Sequence, residues 1–196
     1  MALFPALLFI KMARGTVDKE YEFKKGNVDG AVKFYAENKT LAVILYFKDD
    51  ELTGYSYEDK QGNLVPAIPL LYGTGKLTAY FKNGNKSAVM QFNESLAEGE
   101  RILYYSNGKE YINSNRINGD DDGIKKTYYP SGKIMREENF LHGNLHGTSK
   151  YYAENGNLIN ELNFYNSDLH GVCKYYEAGK LTETLIYYYD MLEARK

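Results

Sequence analysis

The sequence predicts an all-β fold, an elongated single-layer antiparallel meander of tandem β-hairpins with a possible short C-terminal helical cap. Three observations predict it. Glycines recur at Gly30, Gly54, Gly75, Gly99, Gly123, Gly147 and Gly171, with spacings of 24, 21, 24, 24, 24 and 24 residues. A fixed period in the range of roughly 20–50 residues is the signature of a repeat array. The 196 residues include 20 Tyr and 9 Phe but no Trp, and broad aromatic side chains suit the pleated surface of a strand. The 18 Gly and 4 Pro punctuate short apolar runs, as a chain with many turns requires.

Taken in order, the chain divides into an apolar N-terminal segment at 1–14, a repeat array at 15–189 and a cap at 190–196. The stretch Ala2–Ile10 (ALFPALLFI) is nine residues long, too short to span a bilayer. It reads as the apolar core of a signal peptide, as an edge strand or cap, or as a truncated or altered start. No Lys or Arg precedes it, and Lys11 stands where cleavage at Ala13 calls for a small residue. The repeat register reaches back to Phe23 and Gly26, the second half of a partial unit.

Within a unit, columns recur in phase. Five residues after the opening Gly come Tyr35, Tyr80, Tyr104, Tyr128, Tyr152 and Tyr176; nine after it come Gly84, Gly108, Gly132 and Gly156. Seventeen after it come Phe47, Phe92, Phe140 and Phe164, with Arg116 as the exception. Twenty after it come Gly119 and Gly143, replaced by Asp50, Ser95 and Ser167. Each unit therefore reads as two strands joined by a tight turn (PSGK, ENGN, SNGK), whose Asn-Gly and Ser-Gly pairs suit a two-residue hairpin loop. A second short link leads to the next hairpin, so neighbouring strands run antiparallel. The unit at 54–74 is shorter and contains Pro66 and Pro69; proline cannot donate to a ladder, so a bulge or break is expected there. After Asp190 the residues favour helix, which suggests a cap over the last strand edge.

The pattern G-x-x-x-x-Y-Y-x-x-G-K, followed by an E-x-x-F/Y run and x-N/H-G, resembles the MORN repeat in its bacterial second variant. The resemblance covers about residues 15–189. Stand-alone bacterial chains of this kind are similar to the YwqK-like antitoxin family, which implies neutralisation of a toxin by direct binding. The wider MORN resemblance implies an alternative, a lipid- or membrane-surface-binding scaffold of the cell envelope. A lipid kinase is not implied: no Gly-rich phosphate loop with a Lys follows a strand.

Charge and chemistry narrow the function classes. Net charge is −2, and residues 1–98 carry 12 cationic and 12 anionic side chains; this balance argues against a nucleic-acid partner. No cluster of Lys or Arg marks a membrane surface. Cys173 is the sole cysteine, so neither an internal disulfide nor a Cys-based zinc site is expected. His142, His146 and His170, with Asp122, form a conceivable surface metal set, but the His-Gly pair belongs to the repeat's turn and no metal or cofactor is expected. Glu137 and Glu161 recur in phase and are read as solvated strand residues partnered by Lys126 and Lys150 rather than as acid–base catalysts. Asp120, Asp121 and Asp122 read as a solvated acidic turn. No catalytic residue is assigned, and the chain is not expected to be an enzyme.

The aromatic columns remain as the binding signal, because Tyr joins an apolar body to a polar tip. Alternation along a strand places Tyr104, Tyr128 and Tyr152 on one face, and Tyr105, Tyr129, Tyr151 and Tyr175 on the other. The more exposed set is expected to bind. The expected function is a non-catalytic protein-interaction module with a protein partner, with lipid or membrane binding as the alternative. A cytoplasmic location is slightly favoured, with the envelope or secretion following if residues 2–10 are a signal remnant.

Overall fold

The computed structural model describes residues 6–11, 17–24, 26–36 and 39–195. The fold is nearly all antiparallel β, with open sheets wound as a meander of hairpins. The chain forms two compact units, Met1–Lys109 and Glu110–Lys196.

In the first unit, one sheet contains β1 (Ala6–Lys11), β2 (Val17–Lys24), β4 (Gly30–Tyr35), β5 (Leu41–Lys48), β6 (Glu51–Ser56) and β7 (Ile68–Pro69) in that order, with β3 (Asn27–Val28) beside β2. Part of the apolar N-terminal segment is thus the end strand β1; residues 2–5 and 12–16 lie outside the described residues. A second run follows the order β8 (Gly75–Tyr80), β9 (Lys86–Asn93), β10 (Leu96–Tyr104). The sheet breaks across the proline-bearing segment expected to interrupt it. Pro69 pairs opposite Gly54 on the last strand of the first sheet, and a 3-10 turn at Leu71–Gly73 leads into β8.

The break lets the two sheets of this unit stack, so the meander is layered here. Val32, Val43, Leu45, Leu52 and Tyr55 of the first sheet form one core with Leu77, Ala79, Ala88, Met90 and Phe92 of the second. The run LAVILYF in β5 explains the layering. Ala42, Val43, Ile44 and Leu45 are all at most 6% exposed, so β5 is covered on both faces. Each large aliphatic side chain buried this way contributes about 1.5–3 kcal/mol.

The second unit is one sheet in the order β11 (Glu110–Ile117), β12 (Asp120–Tyr128), β13 (Ile134–Leu141), β15 (Gly147–Tyr152), β16 (Leu158–Tyr165), β18 (Gly171–Glu177), β19 (Lys180–Tyr188), β20 (Met191–Arg195). Two-residue strands β14 (Asn144–Leu145) and β17 (Asp168–Leu169) pair with β13 and β16. Two expectations are corrected here. The C-terminal stretch is strand β20, paired with β19, and not a helical cap. Asp120–Asp122 open β12 and are not a turn; the turn is Asn118–Gly119.

The two turn types differ from the expected assignment. The Gly84, Gly108, Gly132 and Gly156 turns are closed by paired backbone bonds such as Tyr129 N–H to Lys133 O and Gly132 N–H to Tyr129 O. This is a type I turn ending in a left-handed residue that forms a bulge. Two-residue loops with positive φ at both positions lie between hairpins, at Asp49–Asp50, Glu94–Ser95, Asn118–Gly119, His142–Gly143, Asn166–Ser167 and Tyr189–Asp190, and inside the last hairpin at Ala178–Gly179, where the sequence predicts one. Where glycine is replaced, the side chain has a task. Ser167 Oγ accepts the Leu145 amide and Asp190 Oδ1 accepts the Leu169 amide, at 3.1 and 2.7 Å. Each turn is thereby tied to the preceding one.

The Phe column and the opening glycines are also linked. Phe47, Phe92, Phe140 and Phe164 sit directly opposite Gly30, Gly75, Gly123 and Gly147. At Gly147 (φ 84°) a Cβ would meet nothing within 4 Å, so the glycine answers to backbone conformation rather than to space.

Candidate interaction surface

Cross-strand register divides the second unit into two faces. One row runs Ile112, Thr127, Arg136, Tyr151, Asn160, Tyr175, Glu183. This face carries the closed side of the sheet: Thr127, Ser149 and Cys173 are fully buried, and Glu138 is 6% exposed. Phe140 and Phe164 share it with Tyr151 and Tyr175, since all belong to the same strand alternation.

The opposite face has three rows. The first alternates in charge across five strands: Lys126, Glu137, Lys150, Glu161, Lys174. Ion pairs join Lys126 to Glu137 at 3.6 Å, Lys150 to Glu161 at 4.0 Å and Lys174 to Glu161 at 3.0 Å. The phased glutamates are thus strand residues with lysine partners. The second row holds Asn139 and Asn163, whose amides donate to the Thr148 and Val172 carbonyls; Thr148 Oγ1 donates to Asn163 Oδ1 at 2.6 Å. The third row is Ile117, Leu141, Tyr165 and Tyr188, exposed by 39, 43, 43 and 51%. Polar groups in the first two rows satisfy one another, whereas the third presents apolar area to solvent.

Rings gather around this third row. His146 and His170 lie 5.1 and 5.8 Å from Tyr165, and His170 lies 5.1 and 4.9 Å from Tyr188 and Tyr189. His170 thus packs between Tyr165 and the Tyr188–Tyr189 pair. The two imidazoles do not converge with His142, whose Nδ1 is 3.5 Å from Asp122. Among the described residues no group of three His, Cys, Asp or Glu side chains is placed to hold a metal ion.

The seven tyrosines singled out from the sequence have mainly internal roles. Tyr151 donates to Glu138 Oε1 at 3.3 Å, and burial with that carboxylate pushes its hydroxyl up to about 12. Burial and a hydrogen bond with Tyr187 push Tyr175 up to about 12. Burial, followed by the Glu110 carboxylate, also raises Tyr128. Tyr129 donates to the Tyr152 carbonyl at 2.8 Å. In the first unit, Tyr105 is 3% exposed and Tyr104 packs on the small cluster of Ala36, Ala42 and Phe81. The simple face assignment is corrected at two of these tyrosines. Tyr105 and Tyr129 lie past the ends of β10 and β12, in turns. Tyr128 and Tyr152 keep their strands' alternation, because the extra residue of each neighbouring bulge, Met135 or Ile159, lies on the partner strand.

Three segments match the family model of a MORN repeat variant: residues 28–49, 121–142 and 145–166. Each segment ends on or beside a two-residue turn between hairpins, and two of them carry Lys126, Glu137, Lys150 and Glu161 of the charge row and Leu141 and Tyr165 of the exposed row. No curated protein matches the chain.

The exposed row was missed in the sequence, although a signal exists. The position before each inter-hairpin turn is Lys48 and Asn93 in the first unit but Ile117, Leu141, Tyr165 and Tyr188 in the second. The first unit also exposes Tyr72 by 84%, in a left-handed conformation (φ 55°) within the irregular segment.

Proposed function

We propose that the chain is a non-catalytic protein-interaction module and that the Ile117, Leu141, Tyr165, Tyr188 row is its contact surface. The observation that carries this reading is the row itself. Four exposed apolar side chains occupy one position in successive hairpins, beside polar rows already satisfied internally. Its aromatic centre and charged flank have the composition of a protein interface. The alternating Lys–Glu row supports a protein over a membrane, because paired opposite charges offer little net attraction to an anionic surface. Cys173, buried and with its thiol pushed up by desolvation, is unsuited to nucleophilic work. MORN repeats are generally interaction modules, and the YwqK-like resemblance makes a toxin the first partner to test.

The test is affinity capture from the source organism with wild type and with a Tyr165→Ala/Tyr188→Ala double variant, compared quantitatively. One protein retained by wild type and depleted at least tenfold with the folded variant is expected. Equal recovery by both proteins removes the row from the interface.

A further inference from the structure

A second site lies in the first unit, and it is independent of the interaction surface just described. An open cleft of about 590 Å³ is lined by Lys33 and Tyr35 of β4, Lys39 of the following turn, Leu41 and Ile44 of β5, and Lys82 and Leu64 from the loops opposite. Three lysines line it in a chain whose net charge is negative. The lining includes one carboxylate, Glu58, 3.2 Å from Lys82. Glu20 is 3.5 Å from Lys33 and accepts the Tyr35 hydroxyl at 3.0 Å. The floor is apolar: Ile44 is 3% exposed, and Leu64, 52% exposed, stands at the lip.

Lys39 gives an independent indication. It occupies the position that Gly84, Gly108, Gly132 and Gly156 fill in other hairpins, and it adopts their left-handed conformation with φ 62°. A glycine would hold that turn without strain, whereas lysine there costs stability. Non-glycine residues take this conformation at other turns as well, Glu94 and Tyr189 among them, but among the residues of this column with positive φ Lys39 is the non-glycine, and its side chain lines the cleft.

We propose that this cleft binds a small organic anion, a monophosphate or carboxylate carrying a short apolar chain. The anionic head would sit among Lys33, Lys39 and Lys82, and the chain would lie on Leu41, Ile44 and Leu64. The volume falls within the range of small-molecule sites, and clustered lysines act on a phosphate as point charges.

Titration calorimetry of the whole chain with hexyl phosphate, hexanoate and inorganic phosphate tests the site. Saturable binding of one hexyl phosphate per chain is expected, tighter than inorganic phosphate because the apolar floor contributes. Lys39→Gly is expected to weaken binding by about tenfold, the effect of removing one nearby charge, while raising the melting temperature. Lys82→Gln, which leaves the turn unchanged, should weaken binding as well. Competition by vesicles containing phosphatidylglycerol would place the natural ligand's head group in a lipid; indifference to vesicles would place it in a soluble metabolite. Absence of saturable binding at millimolar ligand, or binding that neither substitution alters, overturns the proposal.

Discussion

Reversing the charge of Lys150 should destabilise the second unit by an amount that follows from its place in the row. Its Cα partners across both neighbouring strands are Glu137 and Glu161, and its amine is 4.0 Å from Glu161. The side chains of Lys150 and Glu161 are 42 and 22% exposed, so solvent screens the pair. Pairs of this kind contribute roughly 0.2–1 kcal/mol each. Losing both attractions in Lys150→Gln is expected to cost about 1 kcal/mol. Lys150→Glu places like charges opposite one another on both sides and should cost about 2 kcal/mol. For a chain of this length that is a fall in melting temperature of about 4–8 °C. Thermal unfolding followed by circular dichroism in low salt and again near 1 M salt measures it. The deficit of Lys150→Glu relative to Lys150→Gln should shrink in high salt, where the screening length falls to about 3 Å. Equal stability of the two variants, or a deficit indifferent to salt, would show that the row is not an electrostatic unit.

Other outcomes follow from the same geometry. Gly73→Ala should destabilise the first unit by at least about 3 kcal/mol in urea titration, since the new Cβ would lie 2.5 Å from the Ser95 amide nitrogen, where glycine holds φ at 62°; a wild-type midpoint would refute this. Tyr35, Tyr151 and Tyr175 are each pushed up to about 12. Their protonated forms are therefore favoured by the fold: this stability is fully present below the unfolded value near 10 and is lost as pH rises towards 12. Tyr151→Phe should make the alkaline fall in stability shallower, and an unchanged slope would count against the shift. Cys173, with no exposed surface, should react with a thiol reagent only as fast as the sheet opens, so labelling should accelerate with added urea; rapid labelling in buffer alone would contradict its burial.

Much of the fold was legible because the repeat columns are backbone requirements. The opening glycines and the Phe column are cross-strand partners, as Gly123 with Phe140 and Gly147 with Phe164 show. The proline-bearing segment marked the break in the first unit, but stacking of its sheets depended on β5 being covered on both faces. The C-terminal residues MLEAR favour helix locally, yet the Tyr189–Asp190 turn directs them back along β19 and pairing overrides propensity. Site reading fared less well. Tyr105 and Tyr129 belong to turns, where alternation along a strand no longer applies. The tyrosine-rich column drew attention to rings that the sheet uses internally, while the exposed row lay in a mixed column of Lys, Asn, Ile, Leu and Tyr. The lysine cleft joins Lys33 and Lys39 of one hairpin to Lys82, which only tertiary packing brings beside them.

Site-specific photo-crosslinking in cells of the source organism tests the interaction surface most directly. A photoreactive phenylalanine analogue is placed in turn at Tyr165, at Tyr188 and at the buried Tyr105. Crosslinks from positions 165 and 188 to one and the same protein, with none from 105, are the predicted result. Crosslinks to lipid alone, or to a protein only from a probe at Tyr72 in the first unit, would contradict the assignment of the Ile117, Leu141, Tyr165, Tyr188 row as the binding surface.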